Sequence, residues 1–424
     1  MTKNEYILLY LWERYNKGED LRHDVLTNKV MWRTDEGQWR ELRQVDVNSI
    51  ANKASRVAGK NLNSQDVRQV LWSDYVRSVH PLREWLGSLR PYDPASGDWI
   101  ELLADDVTVE EGRQALWRTV FHKWFLAMVA SWLHDEDVNQ NVLVLIGPQG
   151  IYKTTWLEHL IPPALRHYSM KLGNIHNLDK DERIRVSEAA LINIDEIDAL
   201  SDQELNRLKS LITSSDTNER APYAATKERR VRLASFCASG NKEYFLSDMT
   251  GNRRFLPFRV EHIVSPFGRF VPYELLYAQA VWELSTEEGQ RRWHYWFDQE
   301  ETRAMGEYVN SFMQETSEEQ LLPYYFEPAG CKVGGNVGGT LGGTLDKRAT
   351  LMSAAEIGAV LALHGNIRRP LSPTKMGLLL KSKGFILKKI HGKKGYLVIR
   401  LSNGEAEREA TIRALNEEQE PRLL

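Results

Sequence analysis

Five consecutive apolar residues, Val142-Leu143-Val144-Leu145-Ile146, stand between polar flanks. A run of that kind marks a strand covered on both faces, as in a parallel sheet. Residues 190–194 and 233–239 have the same character. Ahead of them, residues 111–133 set Leu116, Val120, Trp124 and Met128 at helical intervals, which predicts one long helix with an apolar face. Buried strands alternating with helices indicate an α/β sheet. Upstream, residues 48–57 and 66–79 carry apolar positions at helical spacing, so residues 1–110 are expected to form a mainly helical domain. Two short segments there, 29–32 and 38–42, flank Asp35-Glu36-Gly37 and read as a hairpin.

At the other end of the chain, Gly334 to Gly343 (GGNVGGTLGG) offers almost no side chains for packing and reads as a flexible tether within a linker at 328–349. Beyond it, the pattern predicts helices at 353–363 and 372–383 and strands at 385–390 and 395–401, followed by a charged tail at 405–424. Two helices and a hairpin with a basic turn resemble a winged helix, placed at 350–404.

Composition adds limits to this outline. With 424 residues, 42% hydrophobic and 27% charged, the chain is neither a fibre nor wholly disordered. Its longest strongly apolar stretch, 124–133, is about half of the ~20 residues a bilayer-crossing helix needs, so no membrane association is expected. The apolar patch from Tyr6 to Trp12 runs into Glu13 and Arg14 without a small-residue cleavage site, and a cytoplasmic location is expected. Two distant cysteines, Cys237 and Cys331, argue against a disulfide framework or a cysteine-type zinc site. The net charge of −3 hides an uneven distribution: residues 346–401 hold twelve Lys and Arg against two acids, twelve minus two giving +10. Such a segment suits a polyanion, although a solvated Lys-rich face would have the same composition.

The candidate chemistry begins directly after the first buried strand. Gly147-Pro148-Gln149-Gly150-Ile151-Tyr152-Lys153-Thr154-Thr155 matches the phosphate-binding loop G-x-x-x-x-G-K-[ST] except at Tyr152, where glycine is usual. Lys153 would bring charge to the β- and γ-phosphates and Thr154 a hydroxyl to Mg²⁺; an ordinary strand-to-helix turn is the alternative. The second buried strand ends in Asp195-Glu196, placed to hold the metal and to polarise an attacking water, and the third ends in Ser239-Gly240-Asn241, where an amide can orient water. Arg253 and Arg254 precede an apolar strand, and a guanidinium suits a transferring phosphoryl group, delivered within the chain or from a neighbouring subunit. Surface ion pairs would explain the same arginines.

Taken in order, these motifs resemble the virulence-associated protein E (VapE) family of phage- and mobile-element-borne ATPases, related to superfamily 3 helicases within the AAA+ class. The resemblance rests on 147–155, Asn-Ile-Asp-Glu at 193–196, Lys-Ser-Leu-Ile-Thr at 209–213, Arg-Ala-Pro-Tyr at 220–223, Thr-Gly-Asn-Arg-Arg-Phe at 250–255 and the segment from Val79 to Leu86. It implies an α/β, AAA+-like P-loop NTPase core at 111–327. ATP and Mg²⁺ would bind at Lys153 and Thr154, with Asp195 and Glu196 as metal and water residues. Asn241 would be the polar sensor, and Arg253 or Arg254 the finger reaching into a neighbour's site. It further implies a homo-oligomeric ring, a hexamer being one such ring, acting as a DNA helicase or replication initiator. Between the second and third strands, Arg220, Lys227, Arg229 and Arg230, with Arg232 beside them, would carry charge to single-stranded DNA in the ring's pore, or else pair with Glu219 and Glu228 on a solvated loop. In the C-terminal unit Lys388, Lys389, Lys393 and Lys394 would grip duplex phosphates. Tyr152 keeps a second reading open: a DNA-binding regulator whose degenerate loop uses nucleotide only as a switch.

Overall fold

The computed structural model describes residues 1–172, 180–219, 228–246, 252–329, 348–368, 370–390 and 392–401. The tether at 334–343, Arg220, Lys227, Cys331 and the tail at 405–424 lie outside the described residues. The chain divides into two compact units, one made of Met1–Phe245 and Asn252–Phe312, the other of Leu246 and residues from Met313 onward.

In the first unit, α1 (Lys3–Arg14) starts with a capping box: the Thr2 hydroxyl accepts from the Glu5 N–H and the Glu5 carboxylate accepts from the Thr2 N–H. Strands β1 (Leu21–Asp24), β2 (Lys29–Arg33) and β3 (Trp39–Glu41) follow, and β2 and β3 form the expected hairpin with Met31 opposite Glu41. Helices α2 (Gln44–Ala58) and α3 (Ser64–Leu71) bury Ile50, Ala54, Val67 and Leu71 in one core with Ile7 and Leu11 of α1. Strand β4 (Ser78–Val79) joins β1 in parallel, giving the sheet order β3-β2-β1-β4, and α4 (Pro81–Gly87) starts on a proline whose missing N–H costs little there. The aromatics of this region do not make one cluster. Trp32 packs on Tyr15, Trp39 lies under the Arg22 guanidinium, Trp85 and Tyr92 reach Tyr277 and Trp282, and Trp72 is half exposed.

The body of the unit is a six-stranded sheet. After α5 (Trp99–Ala104) come β5 (Val107–Val109), α6 (Gln114–Leu133), β6 (Val142–Ile146), α7 (Lys153–Glu158), β7 (Ser169–Lys171), α8 (Lys180–Glu188), β8 (Leu191–Ile194) and α9 (Asp202–Thr213). A two-stranded ribbon of β9 (Asp216–Glu219) and β10 (Glu228–Val231) precedes β11 (Ser235–Gly240) and β12 (Phe255–Ile263). The order is β5-β12-β6-β11-β8-β7, parallel throughout except for β5, which runs antiparallel to β12. Every residue of β6, β8 and β11 is buried; β6 is apolar throughout, while β8 and β11 also bury Asn193, Ser235 and Ser239. Helix α6 differs from its expected single apolar face: Val120 to Trp132 is buried without a break. A helix enclosed on all sides needs apolar residues all round, and this one lies between the sheet and α10 (Tyr273–Ser285). Helices α11 (Glu287–Arg292) and α12 (Gln299–Asn310) complete the unit.

The second unit contains α13 (Ser317–Tyr325), β13 (Phe326–Pro328), β14 (Ala349–Met352), α14 (Ala354–His364), α15 (Pro373–Ser382), β15 (Ile386–Ile390) and β16 (Lys393–Arg400). Strand β16 is the hub, pairing antiparallel with β13, β14 and β15. Ile357, Leu361, Met376, Leu380, Tyr396 and Val398 share its core. The unit therefore includes α13 and β13, which precede the glycine-rich segment. Among the described residues no helix is long and apolar enough to cross a membrane.

Candidate functional site

At the end of β6 the chain turns sharply into α7. A Cβ at Gly147 would come within 2.4 Å of the Val260 carbonyl oxygen on the neighbouring β12, so only glycine fits. The turn closes through Gly150 (φ 83°) and Tyr152 (φ 67°). Tyr152 thus takes the left-handed conformation that the usual glycine would hold, at a cost of roughly 1–2 kcal/mol for an L-residue. The departure from the motif leaves the backbone in a glycine-like conformation and adds a ring, 40% exposed, that meets Phe267 edge-on at 6.0 Å between centroids.

The next residue supplies the charge. Lys153 Nζ donates to the carbonyl oxygens of Gly147 (2.7 Å) and Pro148 (2.5 Å) and to Asn241 Oδ1 (3.2 Å). Burial pulls the Lys153 ammonium below the usual lysine value, and the Asp198 and Asp195 carboxylates oppose the shift. Thr154 Oγ1 donates to Asp195 Oδ1 at 3.0 Å and lies 2.9 Å from Ser239 Oγ, which itself donates to Asp195 Oδ1 at 2.7 Å. Because β11 lies between β6 and β8, Ser239 bridges the loop and the carboxylate. Glu196 follows in a left-handed conformation (φ 53°), exposed at the rim. Two N–H groups, of Asn241 and Lys242, donate to Asp198 at 3.1 and 3.2 Å, which fixes the turn that presents the Asn241 amide.

These groups surround a cleft of about 330 Å³. One wall is the loop from Gln149 to Thr155, and the other holds Asp195, Glu196, Ser239 and Asn241. Loop amides and a lysine on one side fit an oxyanion. The Thr154 hydroxyl and the Asp195 carboxylate facing it are hard oxygen donors of the kind a Mg²⁺ accepts, and that ion takes only one or two carboxylates from a protein when phosphates supply the rest. Among the described residues no group of three or more His, Cys, Asp or Glu could hold a metal by itself.

Arg253 and Arg254 stand elsewhere. Phe255 pairs with Val142 and Arg259 with Ile146, so the two arginines lie at the amino end of the strands while the cleft lies at the carboxyl end. At ~3.3 Å per residue the five residues of β6 hold these ends about 16 Å apart. There Arg254 Nε donates to Thr213 Oγ1 at 2.9 Å, and both arginines line a second cleft of about 370 Å³ with Asn141, Tyr295 and Trp296.

The other basic candidates separate. Arg229 sits on the β10 backbone opposite Asn218, and Arg230 pairs with Glu188 at 3.0 Å. Arg232 is internal, 1% exposed, and donates to the carbonyl oxygens of Ser214, Asn139, Ala234 and Ile212; burial lowers its pKa to about 10. It cannot touch nucleic acid, contrary to the expectation from its place in the basic run. In the second unit Lys389 is directly opposite Lys394, whereas Lys388 faces Gly395 and Lys393 faces Ile390. Strand alternation puts Lys389 and Lys394 on the face that packs Leu387 and Tyr396 into the core with α14 and α15, and Lys388 and Lys393 on the other.

Two groups that the motifs do not mark, Ser239 as a bridge and Asp198 as an anchor, complete the cleft. A family model described as the virulence-associated protein E-like domain matches residues 99–314, just over half of the chain. Among solved structures, an apo structure of the NrS-1 C-terminal region (305–718) is 11% identical with a TM-score of 0.43, covering 94% of this chain and all of that one. A second, in an A form, is 12% identical with a TM-score of 0.45, covering 93% and 100%. No curated protein sequence matches the chain.

Proposed function

Since the chain belongs to the virulence-associated protein E-like domain family, we propose that it is a DNA-dependent ATPase, a helicase or replication initiator carried by a phage or other mobile element. The observation that carries this reading is the meeting of Lys153, Thr154, Asp195 and Asn241 in one cleft, although they come from three strand ends far apart in sequence. Lys153 would leave the loop carbonyls for the β- and γ-phosphates. Thr154 and Asp195 would hold Mg²⁺, which supplies neutralising charge between the phosphates. Glu196, exposed at the rim, would orient and polarise the attacking water, and Asn241 would position it against the γ-phosphate.

Arg253 and Arg254 lie too far from their own cleft to stabilise charge there, which supports their acting on a neighbour's cleft and hence a ring of copies. The ribbon of β9 and β10 would face single-stranded DNA, and the second unit would take duplex DNA through α15, with Lys389 and Lys394 on phosphate. The test is ATP turnover with and without single-stranded DNA, beside Glu196→Gln. Stimulated turnover that vanishes in the variant supports the reading.

One observation favours a nucleotide-driven switch instead: Tyr152 occupies the left-handed position and Lys153 is tied to loop carbonyls. Binding of ATP without turnover in either protein would select that alternative.

A further inference from the structure

Between β12 and α10 the chain exposes two phenylalanines, Phe267 at 67% and Phe270 at 85%. Their loop is firmly anchored. The Val264 N–H donates to the Asp106 carbonyl at 2.8 Å, and the Arg269 guanidinium meets the buried Asp106 carboxylate at 2.6 Å. On the far side Tyr273 Oη donates to the His159 carbonyl oxygen at 2.6 Å, which ties the start of α10 to the end of α7. A loop held at both ends while a large ring points to water has surrendered hydrophobic burial that a small polar residue would not have needed.

Phe267 does not face empty surface. It stands edge-on to Tyr152 at 6.0 Å and to His159 at 6.2 Å, interplanar angles 80° and 79°. Among the described residues Tyr152 is the one aromatic lining the cleft, directly before Lys153. The rest of that lining is glycine, amide, hydroxyl, lysine, threonine and carboxylate, suited to phosphates and metal but not to a purine, which is recognised mainly through apolar and aromatic contact. Two rings at right angles leave a corner with one face and one edge presented, which a third planar ring can fill in the stacked or edge-on geometry aromatic pairs prefer.

We propose that Tyr152 and Phe267 form the nucleoside side of the cleft, the corner on which the base of a bound purine nucleoside triphosphate stacks. This rests on the nucleotide reading given above. It also accounts for an L-residue in a glycine conformation, since the strained position is the one that sets a ring at the mouth of the cleft. Stacking depends on ring area and not on base-edge hydrogen bonds, so ATP and GTP bind with similar affinity.

The test uses the full chain and calorimetric titration with ATP, GTP and inorganic tripolyphosphate, comparing the unaltered protein with Phe267→Ala, Phe267→Trp and Lys153→Ala. Phe267 is exposed, so its replacement leaves the core intact. Phe267→Ala weakens ATP and GTP alike by roughly tenfold, the scale of one lost base stack, and leaves tripolyphosphate unchanged. Phe267→Trp keeps or improves nucleotide affinity. Equal loss for tripolyphosphate, no loss for ATP, or a change only in the oligomeric state would overturn the assignment, the last assigning the corner to a second copy of the chain. If ATP affinity is lost in Lys153→Ala and untouched in Phe267→Ala, the base corner fails while the nucleotide reading stands. If the unaltered chain binds neither ATP nor tripolyphosphate, both fail.

Discussion

The two ends of the central sheet are built from the same strands on opposite principles. At the carboxyl end, Lys153, Thr154, Asp195, Ser239 and Asn241 are linked side chain to side chain around open space. At the amino end, Arg232 is sunk among four backbone carbonyls, while Arg253 and Arg254 are set out on the turn before β12. One end holds its lysine and its carboxylate on separate neutral partners, Lys153 on loop carbonyls and the Asn241 amide and Asp195 on two hydroxyls; the other separates a structural arginine from two placed at a cleft. The difference shows that a basic residue's role here follows from which end of a strand it reaches and how deeply it sits, and not from the charge of its neighbours in sequence.

Breaking the carboxyl end should have the largest effect. Lys153→Ala is expected to abolish ATP binding in a chain that still folds, since no other cation of the loop lines the cleft; titration beside circular dichroism checks this. At the amino end, Arg253→Ala and Arg254→Ala should leave ATP affinity intact and lower turnover by ~10³ or more, as expected for a group that acts on transition-state charge. Mixing either with Glu196→Gln chains should restore part of the turnover. Co-assembled mixtures that stay inactive would mean that the two ends do not serve one reaction.

Arg232→Met tests the contrast inside the amino end itself. It should cost about 3 kcal/mol or more in denaturant unfolding, because several buried carbonyls lose their donor. A smaller effect follows from Asp198→Asn, which weakens the acceptor for the Asn241 and Lys242 N–H groups. Turnover should fall roughly tenfold, about the value of one hydrogen bond, with little loss of stability. The smallest is a pH effect. Burial lowers the Lys153 pKa in the free chain, and a bound polyphosphate favours the protonated ammonium and raises it again. Nucleotide affinity is therefore full below the lowered pKa and declines as pH rises through it, at a lower pH than an exposed lysine would give. Affinity that stays flat to high pH would contradict this.

The parts of this picture that sequence patterning reaches are those that are continuous along the chain. Val142–Ile146 announces its strand because all five residues are buried, and the loop beside it is one unbroken motif. Ser239 and Asp198 are silent because their partners lie 85, 44 and 43 residues away and meet only through strand order. Arg232 cannot be told from Arg229 and Arg230 until the backbone turns it inward. The four lysines of the C-terminal hairpin read as one patch, and pairing register then divides them between two faces. Strand β1, Leu-Arg-His-Asp, has neither an apolar run nor an alternation and is fixed by its pairing with β2.

The outermost strands of the large sheet are its shortest. β5 and β7 are each three residues long, whereas the apolar strands β6, β8 and β11 lie inside. An exposed long strand would offer its unpaired N–H and C=O groups to another chain and invite aggregation. Here the available ladder is three residues at either border, and the last residue of β7, Lys171, is a charged one held by Glu158 at 2.5 Å. Side-by-side sheet extension is thereby disfavoured.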